Sequence, residues 1–244
     1  MVVLGIDIGG TGIKGAPVRT ADGTLTGERF RLPTPRPATP AAVAKTVGQV
    51  VEHFDWKGRV GCGFPAVIRH GEVCTASNVS KRWLGVNASV EFEREAACKF
   101  VVANDADAAG LAEMRLGAGR GRNGVVLFVT LGTGIGSALF MDGILVPNTE
   151  LGHIEIDGVE AETLAADSVR ERENLSWKKW AQRVDKYLKR MSAYLWPDLI
   201  IVGGGVSKKH EKFLPYLTVG AEVVPAQMRN EAGIVGAALL AAET

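Results

Sequence analysis

Residues 2–17 read VVLGIDIGGTGIKGAP and residues 125–139 read VVLFVTLGTGIGSAL, so one pattern is written twice in the chain. With one glycine removed, Gly9 aligns with Gly132, Thr11 with Thr133 and Gly12 with Gly134. Each copy is a β-rich run, a glycine-rich break and a second apolar run, which predicts strand, tight turn and strand. A unit of this kind that returns about 120 residues later implies a duplicated domain, its halves expected to face each other across a cleft. Two turns closing on one cleft suit a chain of phosphates better than a single phosphate.

The chemistry of the first turn follows from its residues. Glycines permit positive φ and remove Cβ atoms, so the N–H groups of Gly9, Gly10 and Gly12 can converge on an anion. Thr11 and Lys14 add a hydroxyl and a positive charge, and Asp7, at the end of the first strand, is placed to reach a phosphate-bound Mg2+ through water. The stretch alone fits an ordinary Gly-rich hairpin equally well; the second copy, with Thr133 and Gly134, favours the phosphate cradle.

At 244 residues, 46% hydrophobic and with a formal net charge of +1, the chain supports a sizeable core and gives no global charge reason to expect nucleic acid or membrane partners. A core strand at the N-terminus and no long apolar run predict a cytoplasmic protein. Cys62, Cys74 and Cys98 lack metal-ligand spacing and read as small core residues.

Along the chain, Thr24 to Arg31 is expected as a third antiparallel strand and Ala41 to Phe54 as an amphipathic helix. Val60 to Phe64 reads as a strand ending at Gly63-Phe64-Pro65-Ala66, either a sugar wall or a plain strand terminator. Asn78 to Gly85 lacks periodicity and reads as a loop, a ligand lid or a surface loop with a buried Trp. Phe100 to Ala103 is a strand that stops at Asn104-Asp105-Ala106-Asp107, where helical spacing begins. Helix capping needs one such residue, and three within four positions also offer a general base beside a phosphate site. Residues 117–124, GAGRGRNG, form a basic segment before the second turn. Glu150 and His153, three apart with glycine between, can point into one site; Glu160 and Glu162 follow, one of which can reach back. Leu175 to Leu195 is the longest helix, with a basic outer face. Leu199 to Val202 runs into Gly203-Gly204-Gly205, where backbone can approach a phosphate closely. Gly233 to Ala242 is expected to brace the first domain.

DIGGTGIK, NDAD, LGTGIG, ELGH and GGGVS together resemble the ROK family of sugar kinases, and SKRWLGVNA with GGGVSKKHEKFLP is similar to its polyphosphate glucokinase branch, including the polyphosphate/ATP glucomannokinase type. The resemblance implies an α/β fold of the duplicated actin-like, hexokinase-like (ribonuclease H-like) ATPase kind, with residues 1–117 and 231–244 in a small domain and 118–230 in a larger one. It implies Asp105 as the base that takes the proton of a sugar hydroxyl, Asn104, Glu150, His153 and Glu162 as sugar binders, and the two turns as phosphate holders; the strand-end and loop readings above add Gly63 and Asn78 on the sugar side and Gly204 and Gly205 on the phosphate side. The implied reaction makes glucose 6-phosphate from glucose, with Mg2+, using polyphosphate or ATP, in a homodimer. The rivals are an ATP-only hexokinase for mannose, fructose or an N-acetyl sugar, and a sugar sensor with a dead site. Many members carry a cysteine-rich zinc motif after ELGH; here Ile154-Glu155-Ile156-Asp157-Gly158 follows, so no zinc is expected and the placement of Glu162 is left open. The first strand at Val2 gives no reason to expect a helix-turn-helix like that of the family's repressors.

Overall fold

In the computed structural model, which describes residues 1–77 and 79–243, the two copies of the pattern become two central sheets. The chain divides into two compact units, residues 1–112 with 231–244, and residues 113–230.

In the first unit β1 (Val2–Ile8) turns back antiparallel into β2 (Ile13–Arg19), with Asp7 opposite Lys14 and Ile8 opposite Ile13. The expected third strand is two short ones, β3 (Thr24–Leu25) and β4 (Phe30–Leu32), both paired to β2. The chain breaks between them around Gly27, where a strand loses both side-chain packing and backbone restriction. Helix α1 (Pro40–His53) starts at Thr39, whose side chain caps Ala42 N–H, with Pro40 in the first turn where its missing N–H costs nothing. β5 (Val60–Phe64) joins β1 in parallel; the small hairpin β6 (Ile68–Arg69) and β7 (Glu72–Val73) and helix α2 (Ala88–Ala96) lead to β8 (Phe100–Asn104), parallel to β5. Trp83 is fully buried, its indole N–H donating to Ala38 O at 3.1 Å, so the 79–85 segment is anchored through a core tryptophan. Cys62 and Cys98 are buried as expected, but Cys74 is exposed because it follows the edge hairpin rather than a core strand.

Helix α3 (Asp105–Leu116) leaves the end of β8, and α7 (Ala232–Glu243) returns to this unit along β1 and β5. The close approach of α7 demands glycine in the sheet: a Cβ on Gly61 would collide with the Ala237 carbonyl and lie 3.0 Å from Ala238 N.

The second unit repeats the plan. β9 (Val125–Leu131) pairs antiparallel with β10 (Ile135–Met141), which pairs with β11 (Ile144–Val146). After the hairpin β12 (Glu155–Ile156) and β13 (Val159–Glu160), and helices α4 (Ala161–Ala165), α5 (Asp167–Arg172) and α6 (Trp177–Leu195), strand β14 (Leu199–Gly203) adds in parallel to β9 and β15 (Glu222–Pro225) to β14. The sheet orders β3-β2-β1-β5-β8 and β11-β10-β9-β14-β15 are the same order with the same strand senses, so the duplication read from sequence extends to topology. β14 is followed by a 3₁₀ segment, Gly205–Lys212. No helix among the described residues is long and apolar enough to cross a membrane.

Candidate active site

In the first unit the parallel strands β1, β5 and β8 end at one level. Asp7 pairs with Gly63 across β1 and β5, and Gly63 with Ala103 across β5 and β8, so Asp105 follows two residues beyond. Gly63 matters here as a close approach: a Cβ on it would stand 3.4 Å from Asp105 Cα. Asn104 and Asp105 divide the labour at this junction. Asn104, buried, accepts from the N–H groups of Ala106 (2.8 Å) and Asp107 (3.1 Å) through Oδ1 and donates from Nδ2 to Ala66 O (3.2 Å). It caps α3 and ties it to the loop after β5. Asp105, half-buried at the helix start, accepts from its neighbour Ala106 N–H at 2.9 Å.

The first turn closes with Gly9 N–H donating to Gly12 O at 3.0 Å, and Thr34 Oγ donating to Gly9 O at 2.5 Å. Lys14 Nζ lies 3.1 Å from Asp7 Oδ2. Arg31, on β4 opposite Lys14, donates to Thr11 O at 2.7 Å and lies across the face of Gly12, bringing a second cation to the turn. Sequence reading missed Arg31; its signal was cross-strand register two strands away. The turn glycines do not take positive φ, contrary to the reason first given for them. At Gly10 and Gly132 a Cβ would meet nothing within 4 Å, so neither packing nor backbone conformation demands glycine there, and both turn tips present bare backbone.

The second turn, in the other unit, closes with Gly132 N–H to Gly134 O at 3.0 Å. It is held from outside by Ser168, whose N–H donates to Gly132 O (3.0 Å) and whose hydroxyl donates to Thr133 O (2.7 Å). Where the first turn has the Asp7–Lys14 ion pair, the second has Thr130 accepting from Gly136 N–H at 3.2 Å, so these two positions carry no charge. Gly204, at φ +82°, packs on β9, and a Cβ there would be 2.6 Å from Leu131 O. Gly205 follows in open space.

The same unit assembles Glu150, His153 and Glu162. Ser137, buried on β10, donates to Thr149 O and accepts from Leu151 N–H at 3.0 Å, pinning the backbone on both sides of Glu150. Gly152 sits against the Ile135 carbonyl, which admits no side chain. His153 Nε2 is 3.6 Å from Glu150 Oε2, and its Nδ1 is 3.4 Å from Glu160 Oε2 and 3.9 Å from Glu162 Oε1. Glu162 Oε2 accepts from Ile135 N–H at 3.3 Å and lies across Gly134, so it rests on the second turn. Glu162 follows the β12–β13 hairpin, whose Asp157-Gly158 turn leads to Glu160 and then to α4. Burial raises the Glu150 carboxyl above the usual glutamate range; His153 opposes this and Glu162 adds to it. His153, Glu160 and Glu162 bring potential ligand atoms within 4.8 Å of one another, and the set contains no sulfur. The Cys62 thiol is pushed well up by burial and by Asp7, which removes it as a nucleophile. Asn78 lies outside the described residues.

Duplicated α/β sheets, a Gly-rich anion-type turn after the first strand of each, and a carboxylate at a strand end define a phosphotransferase of the actin-like, hexokinase-like class. The chain belongs to the ROK family, whose model matches residues 3–166. It is 51% identical over 236 residues to a polyphosphate glucokinase of Mycobacterium tuberculosis (strain CDC 1551 / Oshkosh), covering 96% of this chain and 89% of that one. Its structure resembles an inorganic polyphosphate/ATP-glucomannokinase from Arthrobacter sp. strain KM (TM-score 0.95, 49% identity, 100% and 99% of the two chains). It also resembles a ROK family glucokinase from Streptomyces griseus in complex with glucose and AMPPNP (TM-score 0.85, 25% identity, 100% of both chains).

Proposed function

We propose that this protein makes glucose 6-phosphate from glucose, with inorganic polyphosphate as phosphoryl donor and ATP as a second donor. The observation that carries the reading is the level ending of β1, β5 and β8, which sets Asp7, Gly63 and Asp105 at one edge of one sheet beside the first turn. The names of the Mycobacterium and Arthrobacter relatives support the sugar and the donor.

In this mechanism Asp105 accepts the proton of the 6-hydroxyl while its oxygen attacks the terminal phosphorus in line. The new O–P bond forms as the bridging P–O bond breaks, and the shortened donor departs with the bridging oxygen. Asn104, Glu150, His153 and Glu162 hold sugar hydroxyls, and Gly63 keeps side-chain bulk away from Asp105. Gly9, Gly10, Thr11, Gly12 and Lys14, together with Arg31 beside the turn, hold donor phosphates, as do Thr133, Gly134, Gly204 and Gly205. Asp7 offers hard carboxylate oxygens next to that turn, a donor that suits Mg2+ shared with phosphates and water. The ion, when bound, neutralises charge on the phosphates. The same reading takes the protein as a cytoplasmic homodimer that acts on small molecules, with mannose as a second sugar, and without nucleic-acid or membrane partners.

The test is glucose 6-phosphate formation by purified protein with Mg2+, comparing nucleotide-free polyphosphate with ATP. Turnover with polyphosphate is the expected result; turnover with ATP alone would remove polyphosphate as donor, and turnover with neither would remove the reaction.

A further inference from the structure

The chemistry above leaves Trp177 unused. It is the first residue of α6, half-buried, and three cations converge on its ring: the Arg170 guanidinium carbon at 4.2 Å from the centroid, and Lys209 and Lys212 Nζ at 5.8 Å each. Arg170 is balanced by Asp167 at 2.6 Å and Glu171 at 3.1 Å. Lys209 and Lys212 are exposed, and neither forms an ion pair with a carboxylate among the described residues. Gathering like charges over one ring raises their mutual repulsion, which the ring quadrupole offsets only in part. An anion completes the balance.

The supports of this patch are also the supports of the second turn. α5 carries Ser168, which holds Gly132 and Thr133, and Arg170 two residues later. The 3₁₀ segment with Lys209 and Lys212 starts directly after Gly204, which packs on Leu131 at the end of β9, next to that turn. Turn and patch are therefore consecutive along the same two elements of one unit. By contrast, Arg122, in the basic segment before the second turn, is neutralised by Glu222.

Resting on the donor reading above, we infer that the Trp177 patch is a distal subsite for a linear polyanion, holding polyphosphate units beyond those at the second turn. A nucleotide base is the weaker fit. One face of the indole lies under Arg170, and the ring runs near-parallel to Phe213 (6.3 Å, 19°) and edge-on to Trp180. Ammonium groups on flexible stems recognise charge rather than base edges.

The experiment compares wild type, the Lys209→Ala/Lys212→Ala double variant, and a Lys45→Ala/Lys57→Ala control that removes equal charge from the first unit. KM is measured for long-chain polyphosphate, for tetraphosphate and for ATP. The expected result is a rise of about tenfold in KM for the long chain, with tetraphosphate and ATP moving less than about twofold and the control matching wild type. The long-chain KM of wild type should also climb more steeply with salt than that of the double variant. A double variant indistinguishable from wild type on long chains, or one weakened equally for ATP, overturns the inference alone. Wild type that turns over ATP but no polyphosphate overturns the donor reading and the inference with it.

Discussion

Asn104 and Asp105 are neighbours of similar shape at a helix start, and substituting each in turn should separate helix capping, read in stability, from proton transfer, read in kcat at saturating glucose. In Asn104→Ala, α3 loses an acceptor that serves two backbone N–H groups, at 2.8 and 3.1 Å, and Ala66 O loses its donor at 3.2 Å. Cap removal costs about 1 kcal/mol, and the buried carbonyl left behind adds about another, for a loss of roughly 2 kcal/mol. In Asp105→Asn the amide oxygen still accepts from Ala106 N–H, so stability should change by less than about 1 kcal/mol. The rate should tell the opposite story. An amide cannot take the hydroxyl proton, and loss of a general base lowers kcat by about 100- to 10,000-fold, or about 2.7 to 5.4 kcal/mol of barrier. Urea unfolding gives the first pair of numbers, and kcat at saturating glucose and donor gives the second. If Asp105→Asn keeps more than about a tenth of wild-type kcat, or is the less stable of the two, the division of labour is wrong.

Other expectations follow from particular contacts. Gly61→Ala drives a Cβ into the Ala237 carbonyl, with backbone on both sides and little room to yield, so it should lower stability by about 3 kcal/mol in denaturant titration. Glu160→Ala removes the carboxylate nearest His153 Nδ1 and should raise the glucose KM about tenfold with kcat changed far less, while Glu160→Gln, which keeps an acceptor oxygen, should recover most of the loss. Glu150 has its pKa raised, so it binds more protons folded than unfolded between the ordinary glutamate value of 4.5 and its own; its contribution to stability is present below that window and declines as pH rises through it. Glucose affinity runs the other way, because the charged form is the better acceptor: it should weaken on acidification at a higher pH than an ordinary carboxylate would give, and Glu150→Gln should abolish that limb of the KM profile.

The repeat made much of this architecture legible. A duplicated turn fixed two similar sheets, and the periodicity of Val43, Val47 and Val50 placed α1 within a residue of its observed start. The NDAD junction was legible as a helix start, because capping is a local matter of one side chain and the next turn. What stayed hidden depends on register between segments distant in sequence. Arg31 reaches the first turn only because β4 pairs with β2, and Ser168 reaches the second only because α5 returns to the turn after β9. Ser137 reads as an ordinary strand serine until the chain from Thr149 to Leu151 folds over it. The break between β3 and β4 was missed for a different reason: one glycine outweighed the strand-forming residues on either side.

The first unit is discontinuous in sequence, and the ribosome imposes an order on it. Residues 113–230 form one contiguous stretch, so everything that unit needs from itself has emerged before α7 is made. The first unit, begun earlier, must wait for residues 232–243 before Gly5 and Gly61 receive the helix backbone they are shaped for. Through that interval the faces of β1 and β5 that α7 covers are bare apolar sheet on a nascent chain, the kind of surface chaperones bind and neighbouring chains aggregate through. Slowing synthesis across the second unit lengthens that exposure; supplying α7 earlier, by circular permutation, would shorten it.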